Sequence, residues 1–147
     1  MRDHDAKAGA ADAAEGADAG SARPRALRLP SHCRMRFKRE FDRVYQEGVR
    51  TRGTAILIVA APASHPRGAR YGLSVGRKFS KSAVARNRVR RVLREAFRLR
   101  RAELPPLDLV LIPQDARRRW RTPEAGEELL ALALKAARKL AERSARG

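Results

Sequence analysis

The stretch from Arg77 to Arg101, RKFSKSAVARNRVRRVLREAFRLRR, limits what this chain can fold into more than any other. Eleven of its residues are Lys or Arg, and only Glu95 is acidic. Wound as a helix at about 100° per residue, Val89, Val92, Leu93, Ala96 and Phe97 recur at i, i+3, i+4, i+7 and i+8 and form one apolar stripe. Arg86, Asn87, Arg90, Arg91, Arg94, Arg98 and Arg101 are expected on the opposite arc. Such a helix must dock one face on a core and leave the other as a guanidinium surface. Solvated helix faces normally mix both signs, whereas a single-sign run repels itself until a polyanion neutralises it. Arginine also outnumbers lysine, and its planar fork matches phosphate oxygens and base edges. The helix is suited to nucleic acid.

The core for that stripe must come from the strands around it. Tyr71 to Gly76 (YGLSVG) precedes the helix, with Leu73 and Val75 alternating against Gly72 and Ser74. Leu107 to Ile112 (LDLVLI) follows the turn closed by Pro105 and Pro106. Thr54 to Ala61 (TAILIVAA) is a continuous apolar strand, with a short pairing segment near Val49 to Arg52 ahead of it and a Pro/Gly-marked loop, Pro62 to Arg70, behind it. A first helix over Phe37 to Glu47 aligns Phe37, Phe41, Val44 and Tyr45 and stops at Gly48. Its start lacks a Ser, Thr, Asp or Asn cap. Pro113 to Thr122 reads as a basic loop containing Trp120. A last helix begins at Pro123, capped by Thr122, and runs to about Ala141 with Leu129, Leu132, Ala133, Ala136, Ala137 and Leu140 inward. The order α-β-β-β-α-β-α predicts an α+β domain of two layers, helices over a small sheet. The strand–helix–strand unit from Tyr71 to Ile112 is expected to cross over right-handedly by default.

Charge is unevenly spread. The 147 residues carry a net charge of +18 with a pI near 11.6, yet residues 1–25 hold four basic and five acidic groups. Residues 1–26 contain no aromatic or branched apolar side chain and are expected to be a disordered tail. The domain is expected over 27–147, entered by an extended lead-in from Leu27 to Ser31. The lone Cys33 permits neither an intrachain disulfide nor a cysteine metal site, which fits a reducing cytoplasm. No apolar run approaches the ~18 residues of a membrane span. The start, MRDHDAKAGA, lacks the apolar core of a secretory signal.

No protein active site is legible. His4 falls in the tail, His65 in a Pro/Gly loop, and His32 beside Cys33, where neighbouring side chains point apart and no orienting acid is near. Glu95, Glu103 and Asp108 are scattered and read as ion-pair partners of nearby arginines. No phosphate-cradling GxxxxGK[ST] loop, HExxH or CxxC is present. Catalytic and metal-ligating residues are therefore expected to be none. On charge and size alone a structural ribosomal protein or RNA chaperone fits equally well, and an autonomous nuclease lacks its acid and histidine cluster.

The motif Arg86-Asn87-Arg88-Val89-Arg90-Arg91, inside RKFSKSAVARNRVRRVLREAFR and directly after RYGLSVG, resembles the protein subunit of bacterial ribonuclease P. That family carries a K-K-x-A-x-R-N-R-x-K-R-x-x-R-E-x-F type of pattern. Two further blocks, Glu40 to Gly48 (EFDRVYQEG) and Glu103 to Pro113 (ELPPLDLVLIP), resemble its first helix and the strand after its basic helix. The resemblance runs from about Leu29 to Leu140. It implies the fold of the second domain of ribosomal protein S5, with a left-handed crossover in place of the right-handed default. It also implies a large catalytic RNA as partner, one protein per RNA, and removal of the 5′ leader of precursor tRNA in the cytoplasm by Mg²⁺ chemistry that belongs to the RNA. Arg86, Asn87, Arg88, Arg90, Arg91, Arg94 and Arg98 would contact the RNA subunit. Phe41 and Tyr45 would stack on the leader, flanked by Arg36, Lys38 and Arg43, with Arg77 and Lys78 closing the cleft. Where the family often places aromatics on its central strand, this chain has Ile56 and Val59.

Overall fold

The computed structural model describes residues 29–66 and 68–147. The expected tail over 1–26 lies outside them. The elements are α1 (Lys38–Glu47), β1 (Val49–Arg52), β2 (Ile56–Pro62), β3 (Arg70–Leu73), α2 (Ala83–Arg100), β4 (Leu107–Pro113) and α3 (Thr122–Arg146), with short 3-10 turns at Ser31–Cys33 and Arg101–Glu103. This is the expected element order. The sheet order is β1-β2-β4-β3, with β3 parallel to β4 and the other pairs antiparallel.

Strand side chains alternate between faces, and here the alternation separates two cores. Ile56, Ile58 and Ala60 of β2, Tyr71 and Leu73 of β3, and Leu107, Leu109 and Leu111 of β4 join the inner residues of α2 and α3. Val59 and Ala61 of β2 and Val110 of β4 pack instead with Met35, Phe41 and Val44. Helix α1 therefore covers one face, and α2 with α3 the other. The two-layer expectation gives way to three layers because both faces of β2 and β4 are apolar, so each needs a cover.

Local chemistry explains the boundaries. Ser82 caps α2, its Oγ accepting from the Ala85 N–H at 3.1 Å. In the larger core Phe97 lies against Tyr71 with ring centroids 4.6 Å apart, a pairing worth about 0.5–1.5 kcal/mol beyond its buried area. Helix α1 has no capping side chain at Phe37. Instead Glu40 reaches back, its Oε1 accepting from the N–H groups of Arg36 (2.9 Å) and Phe37 (3.0 Å). At the other end Gly48 is needed for closeness. A Cβ there would lie 2.5 Å from the Val44 carbonyl oxygen and 2.7 Å from that of Ala60.

Some boundaries differ from expectation. Strand β3 ends at Leu73 rather than Gly76, and Ser31–Cys33 is a helical turn rather than extended chain. Helix α3 takes in Thr122, puts Arg121 at the cap position without a side-chain bond, and continues past Ala141 to Arg146. The last turn is anchored, since Arg143 Nη2 donates to the Glu47 carbonyl at 2.7 Å. Among the described residues, no helix is long and apolar enough to cross a membrane.

Candidate nucleic-acid interface

On the face covered by α1, the register defines three cross-strand rows: Ala61–Asp108–Arg70, then Arg50–Val59–Val110–Gly72, then Arg52–Leu57–Ile112. Helix α1 is fastened to the first row by charge. Arg43 donates to Asp108 Oδ2 at 3.0 Å and to the Pro62 carbonyl at 2.7 Å, and Arg70 pairs with Glu40. Ser64 Oγ bridges the two pairs, donating to Asp108 at 2.7 Å and accepting from Arg70 at 3.1 Å. Burial tends to raise the Glu40 pKa, but the N–H bonds from Phe37 and Arg36 and the Arg70 guanidinium outweigh it and leave the carboxyl below its ordinary value. On the second row the Phe41 ring takes the space over Gly72, where a Cβ would lie 2.6 Å from it. The third row is less covered: Arg52 is exposed and Ile112 half-buried.

Each residue expected on the leader side has a definite place. Phe41 is half-buried in the smaller core, while Tyr45, one turn on, is 38% exposed. Arg36 and Lys38 are exposed at the start of α1, Lys38 pairing with Asp42 at 2.8 Å. Arg77 and Lys78 are exposed in the turn after β3. Arg43 does not flank the helix as a free cation; it is tied to Asp108. Ile56 and Val59, three residues apart on one strand, point to opposite faces and are both buried, so they cannot serve one surface together. Sequence reasoning passed over Arg50 and Arg52. Their alternation with Val49 and Thr51 was the available signal: Thr51 is buried, donating to the Leu132 carbonyl at 3.2 Å, while both arginines are exposed.

The α2 surface is narrower than the opposite arc first drawn. Asn87, Arg88 and Arg91 are exposed. Arg90 is 9% exposed, donating to the Val75 carbonyl at 2.7 Å and to Asn87 Oδ1 at 2.9 Å. Arg86 donates to the Ser80 carbonyl at 2.9 Å, Arg94 is half-buried, and the Arg98 guanidinium is paired with Glu95. Helical geometry gives the reason. At about 100° per residue, positions 86 and 90 fall on either side of position 97, at the margin of the apolar stripe. The acids behave as expected, with Glu95, Glu103 and Asp108 facing Arg98, Arg100 and Arg43.

The two faces meet near the β3 edge. The Met35 N–H donates to the Tyr71 carbonyl at 2.8 Å, and the Arg34 guanidinium lies 5.7 Å from the Tyr71 ring centroid. Burial lowers the Arg34 pKa, with Tyr71 working the other way and the charges of Arg36 and Arg94 adding to the lowering. Burial raises the Tyr71 phenol, and Arg34 beside it offsets part of that. Cys33 is buried and its thiol is pushed up by that burial, while His32 beside it stacks on His65 at 4.8 Å. Among the described residues no three His, Cys, Asp or Glu side chains converge as metal ligands would, and Asp108 already faces Arg43 and Ser64.

The ribonuclease P family profile matches residues 29–137. The chain is 36% identical over 90 residues to the ribonuclease P protein component of Chlamydia abortus, covering 61% of this chain and 64% of that protein, just under two thirds of its length. It is 40% identical over 84 residues to that of Bordetella avium, covering 56% and 70%. The RNase P protein of Thermotoga maritima superposes with a TM-score of 0.58 at 28% identity, over 68% of this chain and 94% of that one. The Staphylococcus aureus protein shares the fold at a TM-score of 0.60 and 24% identity, over 71% and 94%.

Proposed function

The chain belongs to the ribonuclease P protein family, and from that premise we propose that it is the RNA-binding subunit that helps a catalytic RNA remove the 5′ leader of precursor tRNA. The single observation that carries the reading is one sheet bearing two unlike surfaces. On one face stands a helix with Phe41 and Tyr45 beside a row left partly open and flanked by Arg50 and Arg52. On the other lies α2 with Asn87, Arg88 and Arg91 outward. A single strand exposes its base faces, and aromatic rings stack on these at about 1–3 kcal/mol per base without demanding a sequence. The α1 side suits the leader, with Arg36, Lys38, Arg77 and Lys78 at its ends. The α2 side suits the phosphates of the RNA subunit, Arg90 and Arg86 acting there by holding the helix. In this reading one protein serves one RNA in the cytoplasm, and the β3–α2–β4 crossover is left-handed as the resemblance implies.

Among the described residues no carboxylates converge as a Mg²⁺ site would require, and in this reading the Mg²⁺ and the hydrolysis belong to the RNA. The test is multiple-turnover cleavage of a precursor tRNA at low Mg²⁺ by a bacterial ribonuclease P RNA, with and without this protein. We expect strong stimulation and no cleavage by protein alone. Salt-sensitive RNA binding without stimulation would overturn the reading in favour of a ribosomal or chaperone role.

A further inference from the structure

The loop between β4 and α3 holds Arg117, Arg118, Arg119 and Arg121, all exposed. None of the four forms an ion pair among the described residues, although every arginine of the α1 network and several on α2 do. Glu124 and Glu128 share a small hollow with Arg118, Arg119 and Arg121. Glu128 is already engaged there, its Oε2 accepting from the Ala55 and Ile56 N–H groups at 2.8 and 2.7 Å.

Fold stability does not account for the charge. Arg121 occupies the cap position of α3, where an Asp, Asn, Ser or Thr would bond a free N–H, and it makes no such bond. Three more cations precede it, at the positive end of a helix of 25 residues. Cations there oppose the helix dipole and repel one another, a cost that Glu124 in the first turn offsets for only part of the four charges and that a further anion would relieve.

The loop is also held in place. Trp120 Nε1 donates to the Asp115 carbonyl at 3.0 Å, and its ring packs edge-on to Phe79 at 6.2 Å. Asp115 Oδ1 accepts from the Arg117 N–H at 3.0 Å. The loop's one aromatic side chain is thus used internally and is half-buried, leaving no ring to stack on an unpaired base. What the loop presents is four exposed guanidinium groups beside the single carboxylate of Asp115, on a backbone held at Asp115 and Trp120.

We propose that Arg117, Arg118, Arg119 and Arg121 form a third RNA-binding surface, one that takes the phosphate backbone of paired RNA rather than the bases of a single strand. Guanidinium groups without a stacking platform recognise phosphate spacing and give affinity indifferent to sequence. The surface uses none of the residues assigned to the leader or to the α2 contact, so it can fail while those stand, and the converse.

The test uses the full chain and two probes, a blunt-ended RNA duplex of about 20 base pairs and a single strand of the same length. Binding is read by fluorescence anisotropy between 50 and 200 mM KCl for wild type, R117A/R118A/R119A and R117K/R118K/R119K. These positions make no side-chain bond among the described residues, and circular dichroism checks that the fold is kept. We expect the alanine variant to lose on the order of tenfold or more in duplex affinity, with a salt slope shallower by about 2 to 3. The lysine variant should keep most of both. An unchanged duplex affinity, a loss confined to the single strand, or an equal loss in the lysine variant would each overturn the proposal.

Discussion

Arg90 and Arg91 are neighbours in sequence, yet burial separates their roles. Arg90 gives both ends of its guanidinium to the protein, and the Val75 carbonyl it serves has lost its strand partner where β3 stops at Leu73. Removing that side chain leaves a buried carbonyl unmet. A hydrogen bond to a charged group is worth about 1.5–3 kcal/mol, so Arg90→Ala should lower stability by roughly that amount. Arg91 is exposed and Arg91→Ala should stay within about 0.5 kcal/mol of wild type, while weakening binding to the RNA subunit. Urea unfolding and RNA titration of the two variants read this directly; equal stability would show that Arg90 is a surface contact after all. The sequence marked both as arginines off the stripe. At about 100° per residue position 90 falls about 20° from Phe97 and position 91 about 120° away, so the spacing separates the two; what it could not supply is the Val75 carbonyl that Arg90 meets.

At the scale of elements, α1 is held by Phe41 and Val44 in the smaller core and by two ion pairs to the sheet, and the ion pairs make it sensitive to acid. Glu40 bonds the first turn of its own helix and the Arg70 guanidinium on β3, and these contacts hold its pKa below the ordinary 4.5. A carboxyl depressed on folding stabilises the native state fully above its unfolded value, and loses that contribution as pH falls through the lower folded value. The stability difference between wild type and Glu40→Gln should therefore be constant near neutrality and shrink below about pH 4.5. Chemical denaturation at a series of pH values tests it, and a difference independent of pH would sink the assignment. The helix itself was legible from Phe37, Phe41, Val44 and Tyr45, as was the β-α-β unit around the basic stretch. The layer α1 occupies was not. Continuous apolar runs such as Ile56 to Ala61 announce a strand buried on both sides, but not which helix covers which side. Nor could a missing Ser or Asp at the cap warn that Glu40 would take over from within the helix.

For the whole molecule the sheet acts as a partition. Val59, Ala61 and Val110 face α1, and Ile58, Ala60 and Leu109 face the two longer helices, so the two surfaces proposed to meet RNA share no side chain. Sequence resemblance implied both surfaces as residue sets; five of the six on the leader side are exposed, but only Asn87, Arg88 and Arg91 of the seven on α2. The partition between them came only with the register. It carries a quantitative consequence. Distant sites without common partners combine additively within about 0.3–0.5 kcal/mol. Tyr45 is the cleaner probe of the α1 side, because Phe41 is half-buried against Met35 and Gly72 and its loss would also loosen the core. Tyr45→Ala should cost about 1–3 kcal/mol of precursor tRNA affinity, and the cost should vanish when the leader is trimmed away. Arg91→Ala should instead weaken assembly with the RNA subunit whatever the leader length. In the double variant, measured on the assembled particle across leader lengths, the losses should sum. A coupling above about 0.5 kcal/mol would mean that RNA bound on one face shifts the other. The route for such a shift would be the β3 edge, where Arg34 lies over Tyr71 and feels the charges of both Arg36 and Arg94.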